Sequence, residues 1–326
     1  MSAGRAPWLV PVSGALLLAA LPAVLTPYMQ DLVIKSSIYA LFALSLELLV
    51  GMTGLVSLGH AAFFAIGAYA TVLAASQADP WALPCLFALA AVSAAAYALV
   101  VGALSLHARG VYFSMVTLTF AQMAYFVLHD TQLAGGSDGL FLNDKPALAI
   151  AGRTFIDLGH PLDLYYAVLA ALVLGYGLLA LIRRSRFGYA LAGIRVNEQR
   201  MRAAGFRTTA YELAAFVLAG AMAGVAGSLL ALKDGAVSPE LANWHQSGAV
   251  LLMVILGGTG HLRGAVLGAV ALTLLRELFQ ADAWVGPIAA HWQLAFGLSI
   301  MVFVALLPRG LIGLRHVLAA RSDPKP

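Results

Sequence analysis

Charge is what this sequence has least of: Asp, Glu, Lys and Arg together make up 10% of its 326 residues, against about 25% in a typical soluble domain. Cysteine is nearly absent. The lone Cys85 excludes an internal disulfide and any cysteine-based metal site. No G-x-x-x-x-G-K-[ST] stretch occurs, so the chain does not hydrolyse ATP through a phosphate loop. His-Glu-x-x-His and nucleophile-elbow patterns are missing too, and the eight histidines are scattered, which leaves no visible enzyme centre or cofactor site. Acidic groups near mid-membrane are also scarce, which argues against a carrier driven by an ion gradient of its own.

What the chain has in abundance is apolar residues, 61% of the total. They fall in runs of about 20 rather than in alternating ten-residue strands, so the fold class is all-α, a polytopic membrane helix bundle. Candidate spans are 8–26, 32–50, 58–76, 81–106, 111–128, 164–182, 211–232, 248–257, 264–280 and 287–307. We count ten crossings, with eight or nine as alternatives, because 248–257 is short: ten residues rise about 15 Å against a core of about 30 Å. The first run, too long for a signal-peptide core, is read as a retained helix. With the N-terminus inside, 14 of the 19 basic residues lie on one side, the cytoplasmic one, and the C-terminus with them. The net charge of +4 is therefore sorted by membrane side and does not signal nucleic-acid binding. No linker divides the chain, and residues 1–326 read as a single membrane domain embedded in lipid.

Two loops stand out. Residues 129–163, on the outer side, carry five aspartates and the run Gly135-Gly-Ser-Asp-Gly139. Residues 183–209, on the inner side, hold seven arginines and one acid, Glu198. Between Gly188 and Gly205 a helix would place Leu191, Ile194, Glu198 and Met201 on one stripe, with Arg202 four residues beyond Glu198. An apolar stripe interrupted by a carboxylate suits docking into a groove of a soluble partner. Small residues at four-residue spacing, Gly220 and Gly224, then Gly260, Gly264 and Gly268, are set for close helix packing. A faint internal echo pairs Gly59-His60 and Gly67-Ala68 with Gly260-His261 and Gly268-Ala269. Ionisable Lys35, Arg276, Glu277 and His291 lie near span ends, where long side chains reach the interface. Glu47, one turn from the inner end of its span, is a packing or gating carboxylate, with proton transfer as the alternative.

Five segments, taken together, resemble LivM-type permeases of bacterial branched-chain amino acid ABC importers. They are Gly54-Leu-Val-Ser-Leu-Gly-His-Ala-Ala-Phe-Phe-Ala-Ile-Gly-Ala-Tyr69, Val111-Tyr-Phe-Ser-Met-Val-Thr-Leu-Thr-Phe120, Gly135-Gly-Ser-Asp-Gly-Leu140, the loop from Arg183 to Gly205, and Ile255-Leu-Gly-Gly-Thr-Gly-His-Leu-Arg-Gly264. The resemblance implies a non-enzymatic translocation subunit in the bacterial inner membrane. It also implies a second, LivH-like permease, two cytoplasmic ATP-binding subunits and a periplasmic substrate-binding protein as partners. Loop 183–209 then corresponds to the family's ATPase-coupling segment, with Glu198, Ala203, Ala204 and Gly205 at matching positions. Glu47, Ser57, Gly59, His60, Gly258 and Gly260 become candidates for the pathway or its gate. The chain departs from the family at Glu47, where Asn is common, at Ala134 in place of Thr, and at Arg276 in place of Pro. Branched-chain amino acids are the implied solute, with other small amino acids, amides or urea as relatives of it. A stand-alone ion-coupled carrier or channel is the alternative.

Overall fold

The computed structural model describes residues 9–75, 83–142, 145–150, 153–280, 292–307 and 310–313. The helices are α1 (Leu9–Ala20), α2 (Pro27–Glu47), α3 (His60–Ala75), α4 (Leu83–Ser105), α5 (Val111–Asp130), α6 (Pro161–Arg184), α7 (Arg186–Val196), α8 (Glu198–Ala203), α9 (Thr208–Asp234), α10 (Trp244–Gly257), α11 (Leu262–Gln280) and α12 (Trp292–Leu306). All ten expected apolar segments carry helix. Among the described residues five helices are long and apolar enough to cross a membrane, and six spans result if α10 and α11 count as one. Residues 287–291 and the basic tail Arg309, Arg315, Arg321 and Lys325 lie outside the described residues, as do Arg5 and His291.

Lipid offers no hydrogen bonds, so each crossing must satisfy its backbone internally. Helix does this for most of the chain, and the exceptions are sheltered by protein. Helix α2 widens at Leu48–Thr53 into a π-helical turn that ends at Gly54, with φ 79°. The chain then runs without regular structure to His60, whose ring bonds Ser45 Oγ at 2.8 Å. Helix α3 therefore begins roughly 12 Å inside the bundle, eight residues above the Thr53 end of α2 at about 1.5 Å each.

Helices α2, α3 and α9 form the centre. Phe42 meets Phe64 at 4.4 Å and Phe63 meets Phe216 at 5.4 Å between ring centroids, and all four are wholly or almost wholly buried. Helix α9 packs on α3 on one side and α4 on the other. Gly224 permits both contacts: a Cβ there would meet Ala94 Cβ and Ala90 O of α4 at 2.5 Å, and Gly67 of α3 lies on its backbone. Gly220 abuts Ala98 in the same way, and Gly264 and Gly268 seat α11 against α10. Thr71 adds a buried hydrogen bond to Ser228 between α3 and α9, 2.7 Å. Gly224→Leu is expected to prevent the three helices from closing, read as loss of the monodisperse, detergent-solubilised complex in size-exclusion chromatography, whereas Gly177→Leu, where a Cβ meets nothing, should leave the profile unchanged.

At one end of the bundle lie four short strands, β1 (Leu140–Phe141), β2 (Ala147–Ile150), β3 (Arg153–Asp157) and β4 (Ala236–Val237). β1 pairs antiparallel with β4, Leu140 opposite Val237, and β2 with β3, Ala147 opposite Asp157. The 129–163 loop is thus tied to the end of α9. Here Lys233 bridges Asp31 at 2.9 Å, Tyr28 donates to Glu277 at 2.5 Å, and Arg276 lies over the Trp292 ring. Arg276 and Glu277 are therefore partnered at a span end.

Helices α10 and α11 meet at 118°. Their turn, residues 258–261, lies at the opposite end, and Glu277 returns α11 to the start of α2. After α12 the chain comes back to this turn, because Gly310 packs on Gly257 and Gly258. Gly310 and the arginine loop consequently share one end of the bundle. Helix α10 has 14 residues, about 21 Å, too few to cross alone. The segment from Gly235 to Asn243 covers the remaining depth.

Candidate coupling site

The arginine loop is built by three local signals. Ser185 caps α7, accepting from Gly188 N at 3.2 Å. Asn197, extended at φ −160°, ψ 98°, ends α7 and caps α8 by accepting from Arg200 N at 2.9 Å. Gly205, at φ 87°, ends α8 in the left-handed region, which L-residues with a Cβ resist. The single helix expected from Gly188 to Gly205 is therefore two, because the Asn197 side chain competes with the helical backbone.

That break changes the stripe. Leu191 and Ile194 are 0% and 4% exposed, packed into this chain's own core, and Met201 closes against Gly193. They are not anchors for a partner. Glu198 is turned inward as well. Its Oε1 receives Arg109 Nη2 at 2.5 Å, Arg202 Nη2 at 2.7 Å and Thr208 Oγ1 at 2.9 Å. The i, i+4 pair with Arg202 forms, but the carboxylate serves the fold, not a docking face. Arg109 also reaches Glu212 at 3.2 Å, and Glu212 is 2% exposed. This cluster joins the α4–α5 turn, α8 and the start of α9.

A second cluster roots α7. Arg195 donates from Nη1 to the Gly51 carbonyl in the π-helical turn of α2. Gly51 lies against the carboxylate of Glu47, which is 1% exposed. The Glu47 carboxylate also lies near the backbone N–H groups of Gly260 and His261 in the α10–α11 turn, while its Oε2 has no hydrogen-bond partner among the described residues. Gly260, at φ 85°, faces the Arg195 guanidinium. One arginine of the loop thus touches α2 and stands beside the turn between α10 and α11.

What the loop leaves open is its rim. Tyr189, Val196 and Phe206 are 69%, 83% and 40% exposed, and Ala203, Ala204 and Gly205 are exposed beside them. The remaining pathway candidates are less open. Ser57 and His60 are wholly buried, His60 between Ser45 and the Phe42 ring, and Gly59 lies against the Thr117 carbonyl. Gly258 is held between Gly310 and Gly264. All four are buried. Arg109, Arg195, Thr208 and Glu212 were not singled out from sequence, although Glu212, an acid inside an apolar span, is a signal of the kind that marks function or a partner.

The sequence that folds into this bundle matches a known permease family. The model described as "Branched-chain amino acid transport system / permease component" matches residues 28–305. The chain belongs to this family. The permease proteins LivM of Salmonella typhimurium and of Escherichia coli are each 32% identical to it over 86% of this chain and 69% of their own length. BraD of Pseudomonas aeruginosa is 25% identical over 88% of this chain and 96% of its own. No solved structure matches. The permease is accordingly a multi-pass transport subunit of the inner membrane and not an enzyme. The alternative of a self-powered carrier gives way to a component of an ABC transport system.

Proposed function

We propose that this permease carries branched-chain amino acids inward in one complex with a LivH-like second permease, two cytoplasmic ATP-binding subunits and a periplasmic substrate-binding protein. Loop 183–209 is the coupling segment in this reading, both termini are cytoplasmic, loop 129–163 is periplasmic, and the whole chain is one membrane domain. One observation supports the reading: charged side chains of α7 and α8 root them in three other elements, the α4–α5 turn, the start of α9 and the π-helical turn of α2, while their outer rim is uncovered.

The chemistry follows from that arrangement. A loop docked only by flexible side chains would absorb a push from outside. A loop fixed by a carboxylate with three charge-bearing or hydroxyl donors, two of them from other elements, passes the push to the spans, because the network ties their positions to its own. Movement of α8 drags Arg109 and Glu212, hence α5 and α9. Movement of α7 drags Arg195, hence α2 and, through Glu47, the α10–α11 turn. ATP chemistry remains on other chains.

Ala204→Arg tests the docking rim. The site is exposed, so folding and membrane insertion are expected to be normal, while uptake falls at least tenfold and the ATP-binding subunits no longer co-purify. Undiminished co-purification and uptake would place the ATPase contact elsewhere.

A further inference from the structure

Most of the outward surface of the spans is what lipid requires. On α6, for example, Val173, Leu174, Leu178 and Leu181 are 44%, 72%, 41% and 63% exposed. One face departs from this. Tyr125 of α5 donates to Glu240 Oε1 at 3.3 Å, Glu240 Oε2 accepts from Asn243 Nδ2 at 3.1 Å, and Asn243 Oδ1 lies 3.0 Å from His245 Nδ1. The Trp244 ring lies tilted against His245, 3.9 Å between centroids, and Trp244 is 50% exposed. Glu240 and His245 are exposed as well. The four form an unbroken hydrogen-bonded row across the surface between α5 and α10.

The depth of this row is what makes it informative. Tyr125 is 14 residues along α5 from Val111, about 21 Å at 1.5 Å per residue. Ser247, two residues past His245, accepts from Ala61 N at 2.9 Å, and Ala61 opens α3 well inside the bundle. His245 and Trp244 are therefore about 15–20 Å from the arginine-loop end, inside a core about 30 Å thick. A carboxylate, an imidazole and an indole N–H do not face acyl chains at that depth; ionisable groups there face a water-filled cavity or another protein.

We infer that the row Tyr125–Glu240–Asn243–His245, with the Trp244 ring, is this subunit's wall of the solute pathway, and that it takes a small zwitterion with an apolar side chain. The inference rests on the import function proposed above and adds a place and a chemistry to it. An ammonium group matches the Glu240 carboxylate and the face of the Trp244 indole. An aliphatic side chain matches Phe126, 56% exposed on the adjoining surface of α5. The row offers a solute successive weak contacts rather than one deep site, as conduction rather than storage demands.

The chain's single cysteine makes the test clean. In the complete importer, in membranes, Cys85→Ser supplies the background, and His245→Cys, Glu240→Cys and Leu174→Cys are added singly. A charged, membrane-impermeant methanethiosulfonate is applied. His245→Cys and Glu240→Cys are expected to react at least tenfold faster than Leu174→Cys, and their modification should remove most leucine uptake. Rates no faster than at Leu174→Cys, or fast reaction only when the second permease is left out, would overturn the pathway assignment and place lipid or a protein contact on this face. Two variants guard against one failing to insert. Leucine uptake by the unlabelled Cys85→Ser background is the independent control: its absence would count against the proposed function, and its presence with slow labelling against the wall alone.

Discussion

Arg109→Ala is expected to lower uptake at least tenfold and to reduce the thermal midpoint of the solubilised complex by about 5–10 °C. Arg109 supplies a cation to two carboxylates at once, Glu198 at 2.5 Å and Glu212 at 3.2 Å. Removing it leaves Glu212, 2% exposed, as an uncompensated buried charge. Breaking a wholly buried pair costs about 3–5 kcal/mol. The Arg109 side chain is 43% exposed, so water offsets part of this and about 2–3 kcal/mol is the fitting magnitude. At about 2–4 °C per kcal/mol for a chain of this size, that gives the stated shift. Arg109→Lys should recover only part of it, since an ammonium cannot hold two carboxylates in the planar, forked way a guanidinium does. Differential scanning fluorimetry in detergent, paired with uptake in vesicles, reads both effects. A midpoint within 1 °C of the parent protein would mean that the cluster does not hold the loop.

Arg195→Ala should do something different. The residue is exposed overall and its part-buried guanidinium bonds a carbonyl rather than a buried charge, so little stability is at stake. What is lost is the tie between α7 and the turn at Gly51, with Glu47 and Gly260 behind it. Substrate-stimulated ATP hydrolysis is expected to persist while the amino acid carried per ATP falls about tenfold, equivalent to about 1.4 kcal/mol of lost coupling. Equal losses of hydrolysis and uptake would point to failed assembly instead.

The sequence carried the long helices well. Apolar runs of the length a bilayer demands placed α2, α4, α5, α6 and α9 to within a few residues, because solvation in lipid leaves little else for such runs to be. It placed α3 as closely, 58–76 against His60–Ala75, but did not show how the chain reaches α3 and α10. Helix α3 begins at His60 after a stretch without regular structure, and α10 begins at Trp244 after strand and turn. Both stretches are held by neighbouring spans, a tertiary circumstance that local hydropathy does not record. The short strands were missed for the same reason, since β1 finds its partner almost a hundred residues away in β4.

At the candidate site, spacing alone located Glu198 and Arg202 on one face and chose the wrong direction for it. An apolar stripe with a carboxylate looks the same whether it faces a partner or its own chain. Asn197 was the legible warning, a capping residue in the middle of the supposed helix. Arg109 and Glu212 were hidden by distance, 103 residues apart, and only folding brings them together. Glu47 was recognised as unusual from its place in an apolar span, but not its neighbours Gly51, Gly260 and Arg195, which come from three separate segments.

The central claim is that Arg195 and Glu47 act as one transmitting unit between the coupling loop and the α10–α11 turn. A double-mutant cycle on leucine uptake in reconstituted vesicles, with Arg195→Ala, Glu47→Ala and the double variant at matched insertion, measures that directly. If each single change costs about tenfold, the double variant is predicted to stay within about threefold of the worse single one. A loss near one hundredfold, the product of two independent effects, would contradict the account.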